Sequence, residues 1–390
     1  MVKVVVTGIS IVSSLGDTEA TWQGVINGVS GIQFRQPFDY FPPLPLALIN
    51  SHPAFMGDVT SILIRDLLDR SNLELPLTDT GVVMGSSRGC QGDWEIFLSS
   101  DKPHFSPPWL ETLPCQPSLI VANYIQSSSI VLSPTNACAT GLVAIAQGYE
   151  LIKQQRCERV IVGAVETPIT PLTMTGFRQM KALSLIGCDP FGKTRDGFVL
   201  GEGGAMLMLE TEALAKSRQA KIYGEILAWG MTCDAQGMTA PEKEGYTAIK
   251  SIEQCLQRSQ TKPQDIDYIH AHGTGTILND QREAKIIDHL FPHNPKVSST
   301  KGITGHTLGA SGAIATALSL FSLDRQTLLP NTRLSPSEFD LNFCIKPEKY
   351  PVKKILCFSF GFGGQNAVIC IGERRKKLAS AVRSPTLSFR

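Results

Sequence analysis

The sequence predicts an α/β protein, and three observations carry that prediction. Short apolar runs recur along the chain: KVVVTG, GVVMGS, SSIVLS, RVIVGAV, GAMLMLE, DYIHAHG, KVSST and KILCFSF. Each has the length and composition of a strand covered on both faces, as in parallel sheets. Helical patterns lie between several of them, and such alternation implies a sheet packed against helices. Twice, moreover, a strand leads through a turn into a helix of small residues, once around Cys138 and again at KVSSTKGITGHTLGASGAIATALSLFSL. Two similar halves facing each other would bring those turns to one shared site. Helices rich in Gly and Ala resemble each other in any case, and no Pro/Ser-rich linker separates the halves into independent domains.

The opening MVKVVVTG reads as a strand, so no signal peptide is expected. Asp17 then offers an N-cap for a helix over TEATWQGVING. Further on, SSIVLSPT reads as a short buried strand that precedes NACATGLVAIAQGYELIK. There Leu142, Ile145, Ala146, Tyr149 and Ile152 recur at helical steps, predicting an amphipathic helix with Cys138 in its first turn. The thiol thus lies at the carboxyl end of a strand, where α/β sheets bind ligands. A helix N-terminus stabilises an anion and can bring a thiol from ~8.5 down towards ~7, which favours a nucleophile. The competing reading is a small buried hydrophobe.

Composition narrows the function classes. Of 390 residues, 42% are hydrophobic and 18% charged, against about 25% charged in typical soluble domains, which suggests a large core and leaves room for a large subunit interface. A net charge of +1 gives no reason to expect nucleic acid or a membrane surface. The longest apolar stretches, such as GAIATALSLFSL, fall short of the ~18 residues of a spanning helix. Ten cysteines are scattered without a CxxC pair or zinc spacing, so a reduced, cytoplasmic protein is expected. Most of the other thiols read as packing, and Cys90, which ends the loop sequence GSSRGC, is the one set apart from them.

A reactive thiolate needs a base or an electrostatic partner. Among seven histidines, His52, His104, His289 and His293 fall in loop-like surface sequence. HAHGTGT carries His270 and His272, and KGITGHTLGASG carries His306, with glycines that let backbone and ligand come close. His270 lies in the body of a strand and reads as structural, whereas His272 stands at its end. Lys301, between SST and GITGH, has almost no other charge around it.

In this order NACATG, HAHGTGT, SSTKGITGHTLGASGA and SFGFGGQNAV resemble the β-ketoacyl-[acyl-carrier-protein] synthases, in the elongating type I/II (KAS II-like) branch of the thiolase-like superfamily. VVVTGISIVSSLGDTEATWQGVINGVSGI and TRDGFVLGEGGAMLMLE resemble that family too, so the likeness runs from about residue 2 to about 372. It implies a five-layered α-β-α-β-α fold of two similar halves, 1–215 with the nucleophile and 216–372 with both catalytic histidines. It implies fatty acid elongation, a homodimer, acyl carrier protein as partner, and no metal or organic cofactor. Cys138 would carry the acyl group, while His272 and His306 would hydrogen-bond the malonyl thioester carbonyl as carbon dioxide leaves. The backbone N–H groups of Cys138 and Phe362 would form an oxyanion hole, with Phe362 a gate swinging on Gly361, Gly363 and Gly364. Lys301 matches the family's lysine and Glu283 its charge partner; Thr274 and Thr276 match the threonines that hold the pantetheine arm. His306 in GITGH separates the chain from initiating and chalcone synthases with Cys-His-Asn, and Cys138 separates it from chain-length factors.

The chain also departs from the family. Residues 35–80 are shortened, and the basic carrier-docking helix is not recognisable; Arg65 and Arg70 could replace it, but Asp66 and Asp69 sit beside them. The region after KALSLIG and the loop TCDAQGMTAPEKEG are compressed as well. A condensing enzyme of a specialised lipid or polyketide pathway is therefore the alternative. A non-catalytic subunit of a heterodimer would lose Cys138 or a histidine, and a simple thiol hydrolase would not need Lys301. Residues 373–390 read as a disordered basic tail.

Overall fold

The computed structural model describes residues 2–99, 109–332 and 335–373. His104 and all but the first residue of the basic tail lie outside them. Ten strands form one sheet: β1 Val4–Val12, β2 Gly81–Gly85, β3 Val131–Leu132, β4 Arg159–Glu166, β5 Gly203–Thr211, β6 Gly224–Cys233, β7 Tyr268–His270, β8 Lys296–Ser298, β9 Lys354–Gly361 and β10 Gln365–Gly372. Their spatial order is β8-β7-β9-β10-β6-β1-β5-β4-β2-β3. Each half, read from the middle outwards, therefore follows its own first, fifth, fourth, second and third strands. The pairings match as well, antiparallel for first–fifth and fifth–fourth and parallel beyond. The halves join where Val4–Val6 pair with Ile226–Gly224.

Two strand expectations need correction. The sheet is mixed, because any strand covered on both faces reads as a continuous apolar run whichever way its neighbours point; all nine residues of β1 are buried, yet both its partners are antiparallel. SSIVLSPT yields only the two-residue edge strand β3, which is half-exposed rather than buried. β6 does not appear among the apolar runs because it alternates, with buried and half-buried residues in period two over most of its length.

Helices complete the layers. The helix α1, Thr18–Ile26, is capped by Asp17, whose carboxylate accepts from Ala20 N at 2.9 Å. The helix α2, Met56–Ser71, covers the outer face of the first half, packing with β2, β4 and β5 in one apolar cluster. In the middle lie α3, Thr140–Lys153, and α6, Ser311–Arg325, whose side chains fill the largest cluster together with the inner faces of both half-sheets. The outer face of the second half is covered by α4, Tyr246–Arg258, and α5, Ile277–Leu290. This is the five-layered thiolase-like arrangement.

The central helices meet where neither has a side chain. A Cβ on Gly141 would stand 2.6 Å from Ala313 N, and one on Gly312 would stand 2.8 Å from Leu142 Cγ. That contact explains the small residues of both helices, and it also makes α3 buried on nearly every side rather than amphipathic.

Candidate active site

The turn before α3 supplies the thiol. Ala137 adopts φ 46° and Ala139 is the N-cap, so Cys138 stands just ahead of the helix instead of in its first turn. The thiol is 4% exposed. Its carbonyl accepts from Ser359 Oγ at 2.8 Å, which ties the turn to β9 of the other half. Gly361, at the end of β9, must lack a side chain, because a Cβ there would lie 2.9 Å from Cys138 N. The Phe362 N–H that follows is directed at the Cys138 sulfur.

Burial pushes the Cys138 thiol up to about 11, opposed by the Phe362 N–H and the charge of Lys301. The sequence-based value near 7 is thereby corrected: desolvation outweighs a helix that begins beyond the residue. Since the pKa is raised, the thiolate fraction grows with pH throughout the neutral range. Alkylation of Cys138 by iodoacetamide, followed by peptide mass mapping, should therefore accelerate about tenfold per unit between about pH 7 and pH 10. A plateau near neutrality would contradict this.

Strand β7 stops at His270, and His272 lies in the loop beyond it. Two buried charges hold that loop through its main chain. Glu283 of α5 accepts from His272 N at 2.6 Å and from Gly273 N at 2.7 Å, while Lys301 Nζ donates to the His272 carbonyl. Glu283 and Lys301 make no direct ion pair; they act on one peptide segment from its two sides. Burial pushes Glu283 up to about 7, against the pull of the two N–H groups and of Lys301, and burial lowers Lys301. Asp280, also buried, accepts from Thr274 N at 3.1 Å and from Gly275 N, and the Thr274 and Thr276 hydroxyls are 2.9 Å apart.

His306 follows the short helix Lys301–Thr304. Its N–H donates to Val199 O at 2.7 Å and its carbonyl accepts from Gly201 N at 3.1 Å, fastening it to the first half. The two imidazoles meet edge to face at 5.4 Å between centroids. Burial, then the charge of Lys301, holds both well below the ordinary histidine range, so both are neutral at pH 7. Nδ1 of each is buried without a partner, and both residues line the pocket.

Cys138, His272 and His306 thus converge, with one donor atom from each lying within 4.8 Å of the others. A metal ion could bridge that spacing, but the Lys301 charge beside the trio opposes a second cation. The trio lies in a pocket of about 410 Å³ that is also lined by Thr274, Thr276, Phe362 and the glycines 361, 363 and 364. His270 is outside it, near Thr300 Oγ1 at 3.3 Å. His52, His289 and His293 are exposed. Cys90 belongs to a separate cavity of about 770 Å³, and seven of the nine thiols other than Cys138, Cys90 among them, are buried. Arg70 is taken by Asp66 at 2.7 Å.

Sequence reasoning missed several supports. Glu166 is buried at the end of β4 and accepts from Ser86 Oγ at 2.7 Å, Ser87 N at 2.8 Å and Gly309 N at 3.0 Å, joining a loop of one half to the turn before α6 of the other. A lone acid closing an apolar run was its available signal. Phe177 and Phe198 wall the thiol: Phe177 stacks on Phe362 at 5.9 Å, and Phe198 meets His306 edge-on at 5.2 Å. Nothing in their sequence neighbourhood marks these rings.

A thiol and two neutral imidazoles, contributed by like halves of a thiolase-like fold, define the ketosynthase class of acyl-transferring condensing enzymes. Residues 63–215 match the family described as Beta-ketoacyl synthase, N-terminal domain, and residues 223–335 match Beta-ketoacyl synthase, C-terminal domain. The chain belongs to the β-ketoacyl synthase family. Among its relatives is the 3-oxoacyl-[acyl-carrier-protein] synthase 2 of Synechocystis sp., 32% identical over 94% of this chain and 97% of that protein. The enzyme of the same name from Coxiella burnetii is 33% identical over 95% and 98%. A solved ketosynthase in complex with its type II polyketide acyl-carrier protein superposes with TM-score 0.89 at 26% identity, over 95% of this chain and 99% of that one.

Proposed function

We propose that this chain condenses malonyl-acyl carrier protein with an acyl group held on Cys138, giving a 3-oxoacyl chain two carbons longer in fatty acid elongation. The convergence of Cys138, His272 and His306 within 4.8 Å carries the reading. Acyl transfer forms the Cys138 thioester and frees the first carrier's thiol. The malonyl C–CO2 bond then breaks and its electron pair enters an enolate, whose oxygen accepts hydrogen bonds from the Nε2–H groups of His272 and His306; neutral, preorganised donors suit this charge. The nucleophilic carbon attacks the acyl carbonyl, the oxyanion is held by the N–H groups of Cys138 and Phe362, and the C–S bond breaks to release the Cys138 thiolate, which regains a proton. Phe362 gates the two sites on Gly361, Gly363 and Gly364. Thr274 and Thr276 hold the pantetheine, and Lys301 with Glu283 fixes the loop of His272. We divide the chain at 215/216, the first half giving Cys138 and the second both histidines.

We also propose a cytoplasmic homodimer. The two-residue strand β3 leaves the sheet edge open, and Leu119, Tyr124 and Leu132 are exposed in the elements around it, an edge that a second copy would cover. Among the described residues no helix is long and apolar enough to cross a membrane. The specialised or polyketide alternative keeps weight from the 26%-identical ketosynthase, whose structure is described as bound to the hexaketide.

Intact-protein mass spectrometry tests the reaction, using acyl carrier proteins loaded with chains of several lengths and then malonyl carrier protein. Cys138 should gain the acyl mass and lose it as 3-oxoacyl product forms. Acylation only by short polar chains would favour the specialised pathway, and no acylation by any carrier would overturn condensation.

A further inference from the structure

We propose that the mouth of the Cys138 pocket is an apolar docking collar, so that the carrier protein it accepts presents an apolar face around its pantetheine arm rather than relying on a strongly acidic one. The proposal rests on the condensing reading above. Large apolar side chains stand in solvent around the opening: Met180 is 41% exposed, Leu185 62%, Ile186 55%, Met238 78%, Ile277 57% and Leu278 59%. Met180, Ile277 and Leu278 line the pocket themselves. Leu185 N donates to the carboxylate of Asp196, a lining residue, at 3.1 Å, and Met238 O accepts from Gly363 N at 2.8 Å. Single exposed apolar residues are ordinary, but six around one opening form a patch of the kind that marks an interaction site.

Charge at the mouth is sparse, and within the pocket lining it is balanced. Lys181 and Asp196 are the exposed charged residues among those lining the pocket, and they cancel; Arg282, the remaining charged one, is buried against Asp234 at 3.2 Å. Just outside, Arg178, Lys193 and Lys243 are exposed against Glu244, a modest surplus of two positive charges beside six exposed apolar side chains. The surface of α2 adds little, since Arg70 is bound to Asp66 and exposed Arg65 is matched by exposed Asp69. The occupant follows from the depth of the thiol: Cys138 is 4% exposed, so a carrier-borne thioester must pass through this mouth on a flexible arm, and the protein bearing the arm must cover the collar. Through the Met238–Gly363 hydrogen bond, that protein would sit one contact from the Phe362 gate.

The test compares acyl transfer to Cys138 from acyl carrier protein and from a free pantetheine thioester. Between about 0.1 M and 1 M NaCl the Debye length shortens from about 10 Å to about 3 Å, so charge-led docking would weaken strongly whereas apolar docking would not. The KM for the carrier should stay within about twofold across that range, and the double variant Leu185→Ser/Ile186→Ser and the single variant Met238→Ser should each raise it about tenfold, or 1.4 kcal/mol. Their kcat, and acylation by the free thioester, should stay within about twofold of the parent, as expected for exposed positions outside the pocket lining. An unchanged carrier KM in these variants, or a KM that climbs about tenfold or more with salt, would overturn the collar. Failure of the parent enzyme with both acyl donors would overturn the condensing reading, and the collar with it.

Discussion

Replacing Cys138 with alanine abolishes acyl transfer and condensation while leaving the fold in place. The loss in rate should be at least about 10³-fold, the scale seen when a covalent nucleophile is removed. The structural cost is small because the Cys138 contacts that tie the halves together are made by its main chain: its carbonyl accepts from Ser359, and its amide faces Gly361. Removing one buried sulfur costs about 1 kcal/mol of apolar burial. Thermal melting by circular dichroism should show a near-parental transition, while product analysis shows no 3-oxoacyl thioester. Condensation persisting in the variant would sink the assignment of the nucleophile.

The His306→Ala variant separates the two half-reactions. Decarboxylation of malonyl carrier protein should fall about 10²- to 10³-fold, as when one donor to a developing oxyanion is lost, whereas acylation of Cys138 should fall less than about tenfold. The substitution is clean because His306 is anchored by its N–H to Val199 and its carbonyl to Gly201, which alanine keeps. It gives up the edge contact to Phe198, a term of about 0.5–1.5 kcal/mol. Carbon dioxide release and the acyl-enzyme mass read the two steps independently. Equal losses in both would contradict the role proposed for this imidazole.

Much of this arrangement was legible in the sequence, and the failures have physical causes. Strands buried on both faces stand out as apolar runs, but such runs carry no information about direction, so they do not distinguish the antiparallel middle of the sheet from a parallel one. Motifs placed Cys138, His272 and His306, since glycine-flanked polar residues at element ends are local features. The thiol's acidity is not legible there, because the helix starts two residues beyond Cys138 and because desolvation depends on what packs overhead, here Phe177, Phe198 and Leu308 among others. Glu166 and the aromatic wall depend on long-range contacts between halves, which no local pattern encodes.

Lys301 and Glu283 make their hydrogen bonds to the backbone of the loop at His272, and Lys301 reaches its ring only through charge. The hydrogen bonds that aim this imidazole therefore do not depend on which side chain stands there. A lineage built on this frame could exchange the group presented at that point without rebuilding the loop, which turns the position into an interchangeable tool mount. The opposite holds at Gly361, where any side chain would strike the Cys138 amide, so that position admits no such exchange.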